Sequence, residues 1–242
     1  MTTKTTQGGG ATKRVLIGTS GFSFPEWRGI FYPEDLSPKK YLQYYAEHFP
    51  TTEINLTFHR FLRPNVSDAW CAETPDDFSF TLKLSRWITH IKRLKEVEGS
   101  MERFLEGAAG LKEKLGPILV QLPPNFKKDL AVLDEFLEKF SKKAQLACEF
   151  RHHSWTSDDV FDVLKKHETA LVIVERDEVE VTDTWRVVTG PFVYVRLRRS
   201  DYSADDVERW AKWIEEQSVD VYCYVKHDER APVFAKQLLD KI

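Results

Sequence analysis

The chain has 242 residues, 35 basic and 38 acidic, for a formal charge of −3, which excludes a surface that attracts nucleic acid or membrane everywhere and leaves only local patches to do so. That length suits one large domain or two small ones and is enough for a sizeable core. Cys71, Cys148 and Cys223 fall in apolar segments without a CxxC pair, which points to buried thiols of a cytoplasmic protein over disulfides or a structural zinc site.

The opening segment up to about Thr12, MTTKTTQGGGAT, is polar and Gly-rich and carries no apolar h-region. It reads as a disordered tail ahead of a single domain over residues 13–242. No run reaches the ~18 apolar residues of a membrane span, so no membrane partner is expected. VLIG (Val15–Gly18) is a short β-rich run that ends in the turn-like TSGFSFPEW. PKKYLQYYAEHF follows with helical spacing at Tyr41, Tyr44, Tyr45 and His48, and Pro38 suits its first turn. The same alternation then repeats. The strand candidates are TEIN (Thr52–Asn55), FSFTLK (Phe78–Lys83), ILVQL (Ile118–Leu122), LACEF (Leu146–Phe150), ALVIV (Ala170–Val174), FVYVRL (Phe192–Leu197) and VYCYV (Val221–Val225). Between and after them lie helical stretches such as SMERFLEGAAGLKEKL, DLAVLDEFLEKF and SADDVERWAKWIEE, several opening on Ser or Asp as N-cap candidates. The sixth crossover, ERDEVEVTDTWRVVTGP, is charged and β-branched and reads as non-helical.

Strand–helix alternation along a whole chain implies parallel pairing with right-handed crossovers. Eight strands with seven helical units predict an α/β fold, a TIM (β/α)8-like barrel of minimum size, with the helix between strands six and seven missing or replaced by loop. A doubly wound open sheet is the competing architecture, but GTSGFS lacks the GxGxxG spacing of its first turn.

Side chains in a strand alternate between two faces. In LACEFR the apolar set Leu146, Cys148 and Phe150 is suited to face helices, which turns Ala147, Glu149 and Arg151 into the barrel. The same rule in EINLT sends Ile54 and Leu56 outward and Glu53, Asn55 and Thr57 inward. It also turns Lys83, Gln121, Tyr194, Arg196, Arg198, Tyr222, Tyr224, Lys226 and Asp228 inward, while Ser20 belongs to the loop after the first strand and Glu175 to the sixth. If the strands are parallel neighbours, the polar ends meet at the C-terminal mouth, where barrel enzymes keep their sites.

The segments GTSGFSFPEWRGIFYP, EINLTFHR, WCAETPDDFSFTLKL, WITHIKRL, LGPILVQLPPNF, EFRHHSW and YVRLR together resemble, in order, the motif series of the YecE-like proteins, a family of unknown function. The resemblance runs from Val15 to the C-terminus. It implies a TIM-barrel-like fold and no established reaction, and it marks Glu53, Asn55, Lys83, His90, Gln121, Glu149, Arg151, Trp155 and Arg196 as motif positions. The chain departs from the pattern at His59, at Arg198 and Arg199, and at Lys226, His227 and Asp228.

Lys83, Arg151, Arg196 and Lys226, with Arg198 close by, outweigh Glu53, Glu149 and Asp228 in this inward set. Such an excess favours an anion, and arginine offers planar paired donors for phosphate or carboxylate. The expected chemistry is that of an enzyme acting on a phosphorylated or other anionic small molecule or a nucleic acid, most concretely phosphoester or nucleic-acid hydrolysis. Glu53 and Glu149 are the candidate acid and base and Lys83 the third catalytic candidate. Asn55, His90, Gln121, Arg151, Trp155, Arg196, Arg198, Lys226 and Asp228 are the candidate substrate contacts. The alternative is a non-catalytic module that binds a nucleotide, nucleic acid or anionic metabolite. Glu53, Glu149, Asp228, His152 and His227 are possible donors to a divalent metal, but no HxH or HExxH spacing occurs and the lysines compete for the same carboxylates. No metal ligand is therefore assigned. Phe22, Phe24, Trp27, Phe31 and Tyr32 after the first strand are better suited to packing than to base stacking.

Overall fold

The computed structural model describes residues 13–177, 186–226 and 228–242; the expected N-terminal tail, the middle of the sixth crossover and His227 lie outside them. The strands are β1 (Val15–Thr19), β2 (Thr51–Ile54), β3 (Ser79–Lys83), β4 (Leu115–Gln121), β5 (Leu146–Glu149), β6 (Ala170–Glu175), β7 (Phe192–Leu197) and β8 (Asp220–Val225). Each pairs in parallel with the next, and β8 returns to β1 through a register running from Val15 opposite Val221 to Thr19 opposite Val225. The result is a closed eight-stranded α/β barrel.

The helices are α1 (Tyr41–Ala46), α2 (Leu56–His59), α3 (Pro64–Ala72), α4 (Glu98–Ala108), α5 (Leu130–Phe140), α6 (Asp158–Lys166), α7 (Ala204–Glu215) and α8 (Ala231–Leu239). Local chemistry sets their starts. Ser203 accepts from the Asp206 amide while the Asp206 carboxylate accepts from the Ser203 amide, a reciprocal cap on α7. Asp129 accepts from the Val132 amide at the head of α5. Among the described residues of the sixth crossover there is no helix.

The alternation read in the strands separates two apolar groups. Ile17, Leu82, Val120, Cys148, Val195 and Cys223 pack with the helices in the outer layer. Leu16, Leu119, Ala147, Val172, Tyr194 and Tyr224 fill the barrel itself. Each fully buried large apolar side chain contributes about 1.5–3 kcal/mol, so a register slip that exchanged the two faces is strongly disfavoured. Cys148 and Cys223 are buried, Cys71 is half-buried, and all three are free thiols.

Two expectations change. The second strand ends at Ile54, because Asn55 turns into the α-region (φ −86°, ψ −15°) and starts α2. Leu56, expected in the core, is therefore 38% exposed, while Thr57 is buried and donates to the carbonyls of Ile54 (3.0 Å) and Lys83 (2.7 Å). The expected long helix around GAAGLKEKL also stops at Ala108 and continues as tight 3-10 turns to Lys114. Gly110 lies so close to α3 that a Cβ there would stand 2.5 Å from Asp68 Oδ1. No helix among the described residues is long and apolar enough to cross a membrane.

Candidate functional site

Parity carries Glu53, Gln121, Glu149 and Arg196 to the same end of the lumen, and there they join one buried network. The Arg196 guanidinium bridges the two carboxylates, donating from Nη2 to Glu53 Oε1 (2.7 Å) and from Nη1 to Glu149 Oε2 (2.5 Å). All three side chains are essentially inaccessible to solvent. Glu53 also accepts from Ser20 (2.9 Å), Tyr194 (2.7 Å) and Asn55 (3.2 Å). Glu149 accepts from Gln121 (2.8 Å), Arg176 (2.8 Å) and Arg151 (3.3 Å). Arg198 donates to Ser20 Oγ (2.8 Å), which relays it to Glu53. Buried Arg196 Nε alone of this guanidinium has no hydrogen-bond partner among the described residues.

Such a network settles the charge of both acids. Burial by itself raises the Glu53 carboxyl, but Arg196 and Arg198, with hydrogen bonds from Arg196 and Tyr194, bring it down to about 2. Burial acts the same way on Glu149, and Arg196, Arg151, Gln121 and Arg176 hold it well below the usual carboxylate range. Both are ionised near neutrality, so neither is placed to give up a proton there. The shared guanidinium lowers both carboxyls in the same direction, whereas an acid–base pair has its two values pushed apart.

Lys83 stands differently. Its Nζ lies 4.2 Å from the centroid of the Phe58 ring and makes no hydrogen bond or ion pair among the described residues. Burial and Arg196 bring its ammonium down to about 8, against the pull of Glu53 and Glu149. His90 makes a T-shaped contact with the same Phe58 ring, 5.0 Å between centroids. Burial, then Lys83, Arg151 and Arg86, lower the His90 ring to about 4, so it is neutral. Thr89 Oγ1 donates to the Ser85 carbonyl (3.0 Å) and lies 2.9 Å from His90 Nδ1; with the hydroxyl proton on the carbonyl, Nδ1 carries the ring hydrogen and the lone pair is on Nε2.

The segment that carries His90 is irregular. Trp87–Ile91 forms one turn of π-helix, and Arg93 (φ +50°) and Leu94 (φ +69°) follow in the left-handed region. Two consecutive non-glycine residues there cost about 1–2 kcal/mol each, and π-turns often accompany functional positions.

Other expected contacts lie at the edge or outside. Arg151 and Arg198 occupy the rim; a cleft of about 540 Å³ between the loop after β1 and the turn after β2 is bounded by Ser20, Phe22, Asn55, His59 and Trp70, and Ser20 links it to Arg198. Trp155 is not at the mouth: it is buried, stacks on Phe150 (4.7 Å, 10°) and donates to the Phe126 carbonyl (2.7 Å). Its neighbour Phe150 has outward parity, so the tryptophan packs the shell. Lys226 follows β8 but its ammonium joins no hydrogen bond of the cluster, and the Asp228 carbonyl receives the Trp27 indole (2.9 Å), tying the β1 loop to the end of β8. Glu175 faces outward, accepting from Trp210 (2.9 Å) of α7. His152 and His153 stack on each other away from the network. No three His, Cys, Asp or Glu side chains gather as a metal set among the described residues.

Arg176, unmarked in the sequence reading, is part of the site. Because Val172 and Val174 point into the lumen, Arg176 continues their parity. The uniformly apolar ALVIV hides that alternation; counting onward by two from Val172 would have found it.

Relatives share this barrel. A family model described as "Protein of unknown function DUF72" matches residues 16–242. UPF0759 protein YecE of Escherichia coli (strain K12) is 29% identical over 139 residues, 57% of this chain and 48% of that protein. UPF0759 protein YunF of Bacillus subtilis (strain 168) is 28% identical over 156 residues, 61% of this chain and 54% of that protein. The chain spans about half the length of the curated relatives it matches. The solved structure of a DUF72 family protein from Thermotoga maritima MSB8 superposes with a TM-score of 0.79 at 28% identity, covering 94% of this chain and 98% of that one. One from Enterococcus faecalis V583 gives 0.76 at 20% identity, over 95% and 97%, a likeness of fold alone.

Proposed function

This chain belongs to the DUF72 family, and from that premise we propose that its barrel mouth captures a phosphorylated or other anionic ligand and that the protein is an enzyme acting on it. The charge balance carries the reading. Among the described residues of the buried network, Lys83, Arg151, Arg176, Arg196 and Arg198 stand against two carboxylates, Glu53 and Glu149, and both of these are bridged by Arg196. Arg151 and Arg176 also donate to Glu149 and Arg198 to Ser20, but each keeps further N–H donors for an incoming anion, and paired arginine donors match phosphate and carboxylate.

Within this reading Glu53 and Glu149 orient the arginines, and Lys83 and His90 are the groups available to move protons. Hydrolysis of a phosphoester or a nucleic acid is the reaction to assay first, with and without Mg²⁺, Mn²⁺ and Zn²⁺. Inorganic phosphate should raise the thermal midpoint of the protein, and a saturating ligand at ~100 times its Kd adds about 2.7 kcal/mol. Removing Arg151 and Arg198 together should abolish that stabilisation while the Glu53–Arg196–Glu149 bridge still folds. An unchanged midpoint across phosphate, phosphate esters and oligonucleotides would sink the reading. The locked carboxylates favour a second one, a binding module without turnover; it predicts the same stabilisation and no product from any ester.

A further inference from the structure

Within the buried network of the mouth, Lys83 is a cation whose head group takes no carboxylate oxygen among the described residues. Two carboxylates are within its electrostatic reach, yet every carboxylate oxygen is already occupied by Arg196, Arg176, Arg151, Gln121, Ser20, Asn55 or Tyr194. The amine is half-buried against the face of Phe58, without a hydrogen-bond partner among the described residues. A lysine meant only to neutralise charge would take one of those oxygens. One kept apart, desolvated and surrounded by other cations, has the environment that frees an amine lone pair near neutral pH. The neutral ring of His90 packs against the same Phe58 and lies within electrostatic reach of Lys83, with Nε2 able to take a proton when Nδ1 carries the ring hydrogen. The π-turn and the left-handed residues that hold it there are a local conformational cost at the mouth.

We propose that Lys83 is a Schiff-base nucleophile and that the ligand of the mouth is a carbonyl compound bearing a carboxylate or phosphate, a 2-keto acid or a keto phosphate. The inference rests on the anion-binding reading above and names its substrate class. Rim arginines Arg151 and Arg198 hold the anionic group and bring the neighbouring carbonyl to the amine. The nitrogen lone pair attacks the carbonyl carbon, forming the C–N bond as the C=O π pair moves to oxygen. A proton passes from nitrogen to that oxygen, giving a carbinolamine. A second proton, taken from solvent, lets the hydroxyl leave as water while the nitrogen lone pair closes C=N. The sum is amine, carbonyl and one proton giving iminium and water, with no change of oxidation state. His90 Nε2 is the base that takes the proton from nitrogen and returns it to oxygen.

Sodium borohydride trapping tests this on the full chain. Pyruvate, dihydroxyacetone phosphate and uncharged dihydroxyacetone are each mixed with the protein, reduced, and followed by intact mass and peptide mapping. One reduced adduct at Lys83 with pyruvate or dihydroxyacetone phosphate, exceeding that with dihydroxyacetone, is the expected result; which anionic probe reacts separates keto acid from keto phosphate. The adduct should be lost in Lys83→Arg, which keeps the charge and cannot form an imine, and its melting curve verifies folding. No adduct, or adducts scattered over surface lysines and unchanged in Lys83→Arg, overturns the proposal. Stabilisation of the protein by phosphate without any adduct would overturn the imine alone and leave anion capture standing. Absence of both would overturn the two together.

Discussion

Arg196 organises the mouth because, among the described residues, it alone touches both buried acids, and its charge is what allows them to stay ionised inside the barrel. Removing one partner of such a buried set typically costs about 3–5 kcal/mol, since an unpaired charge is left behind. The same coupling sets the acid limit of the fold. A carboxyl whose pKa is lower in the folded chain stabilises it above its unfolded value, about 4.3 for glutamate. That contribution is lost as the pH falls through the folded value, about 2 for Glu53. Folded and unfolded states thus differ in bound protons between these limits, and stability falls on acidification there. Glu53→Gln should flatten the fall by on the order of 3 kcal/mol, read as urea midpoints from neutral to strongly acidic solution; identical slopes in the two proteins would refute it. Glu53, Glu149 and Arg196 were legible as a convergent set because parity needs only the local pattern. Their ionisation was not, because it depends on how many donors from other strands reach each oxygen.

At the scale of the element, the tightest joint is between β1 and β2. Gly18 lies opposite Thr51, and a Cβ on Gly18 would stand 2.0 Å from the Thr51 carbonyl oxygen. Backbone rather than a flexible side chain fills that space, so the strands would have to separate. Gly18→Ala should destabilise the protein by at least about 3 kcal/mol, measured by chemical denaturation; a loss under 1 kcal/mol, marking about the lower bound for overpacking, would show that the joint gives. Strands and main helices were visible from hydrophobic periodicity, and so was the missing periodicity of the sixth crossover. Three local features escaped it. The turn at Asn55 interrupts an alternation that INLT continues on paper. The helix that ends at Ala108 tightens into 3-10 turns where Gly110 packs closely on α3, a neighbour that periodicity does not see. Arg176 lies beyond a strand whose two faces are equally apolar.

For the whole molecule, closure is the decisive fact. The β1–β8 register joins residues about as far apart in sequence as the barrel allows, and it removes both sheet edges. A chain ending before Asp220 leaves β1 and β7 unpaired along exposed edges. It should lose its cooperative thermal transition and self-associate in size-exclusion chromatography, whereas a monomeric, cooperatively melting truncation would contradict this account. The sequence by itself determined the alternation of strands and helices, the face on which each side chain lies, and hence the charged character of one barrel end. These follow from bond geometry and from the separation of apolar from polar surface, which act over a few residues. Only the tertiary structure decided which charges pair. It locked Glu53 and Glu149 to Arg196, turned Trp155 into packing, drew in Arg176 and left Lys83 against Phe58 without a carboxylate partner among the described residues. Electrostatic energy inside a barrel depends on distances between strands remote in the chain and on the water excluded between them, and no local pattern encodes either.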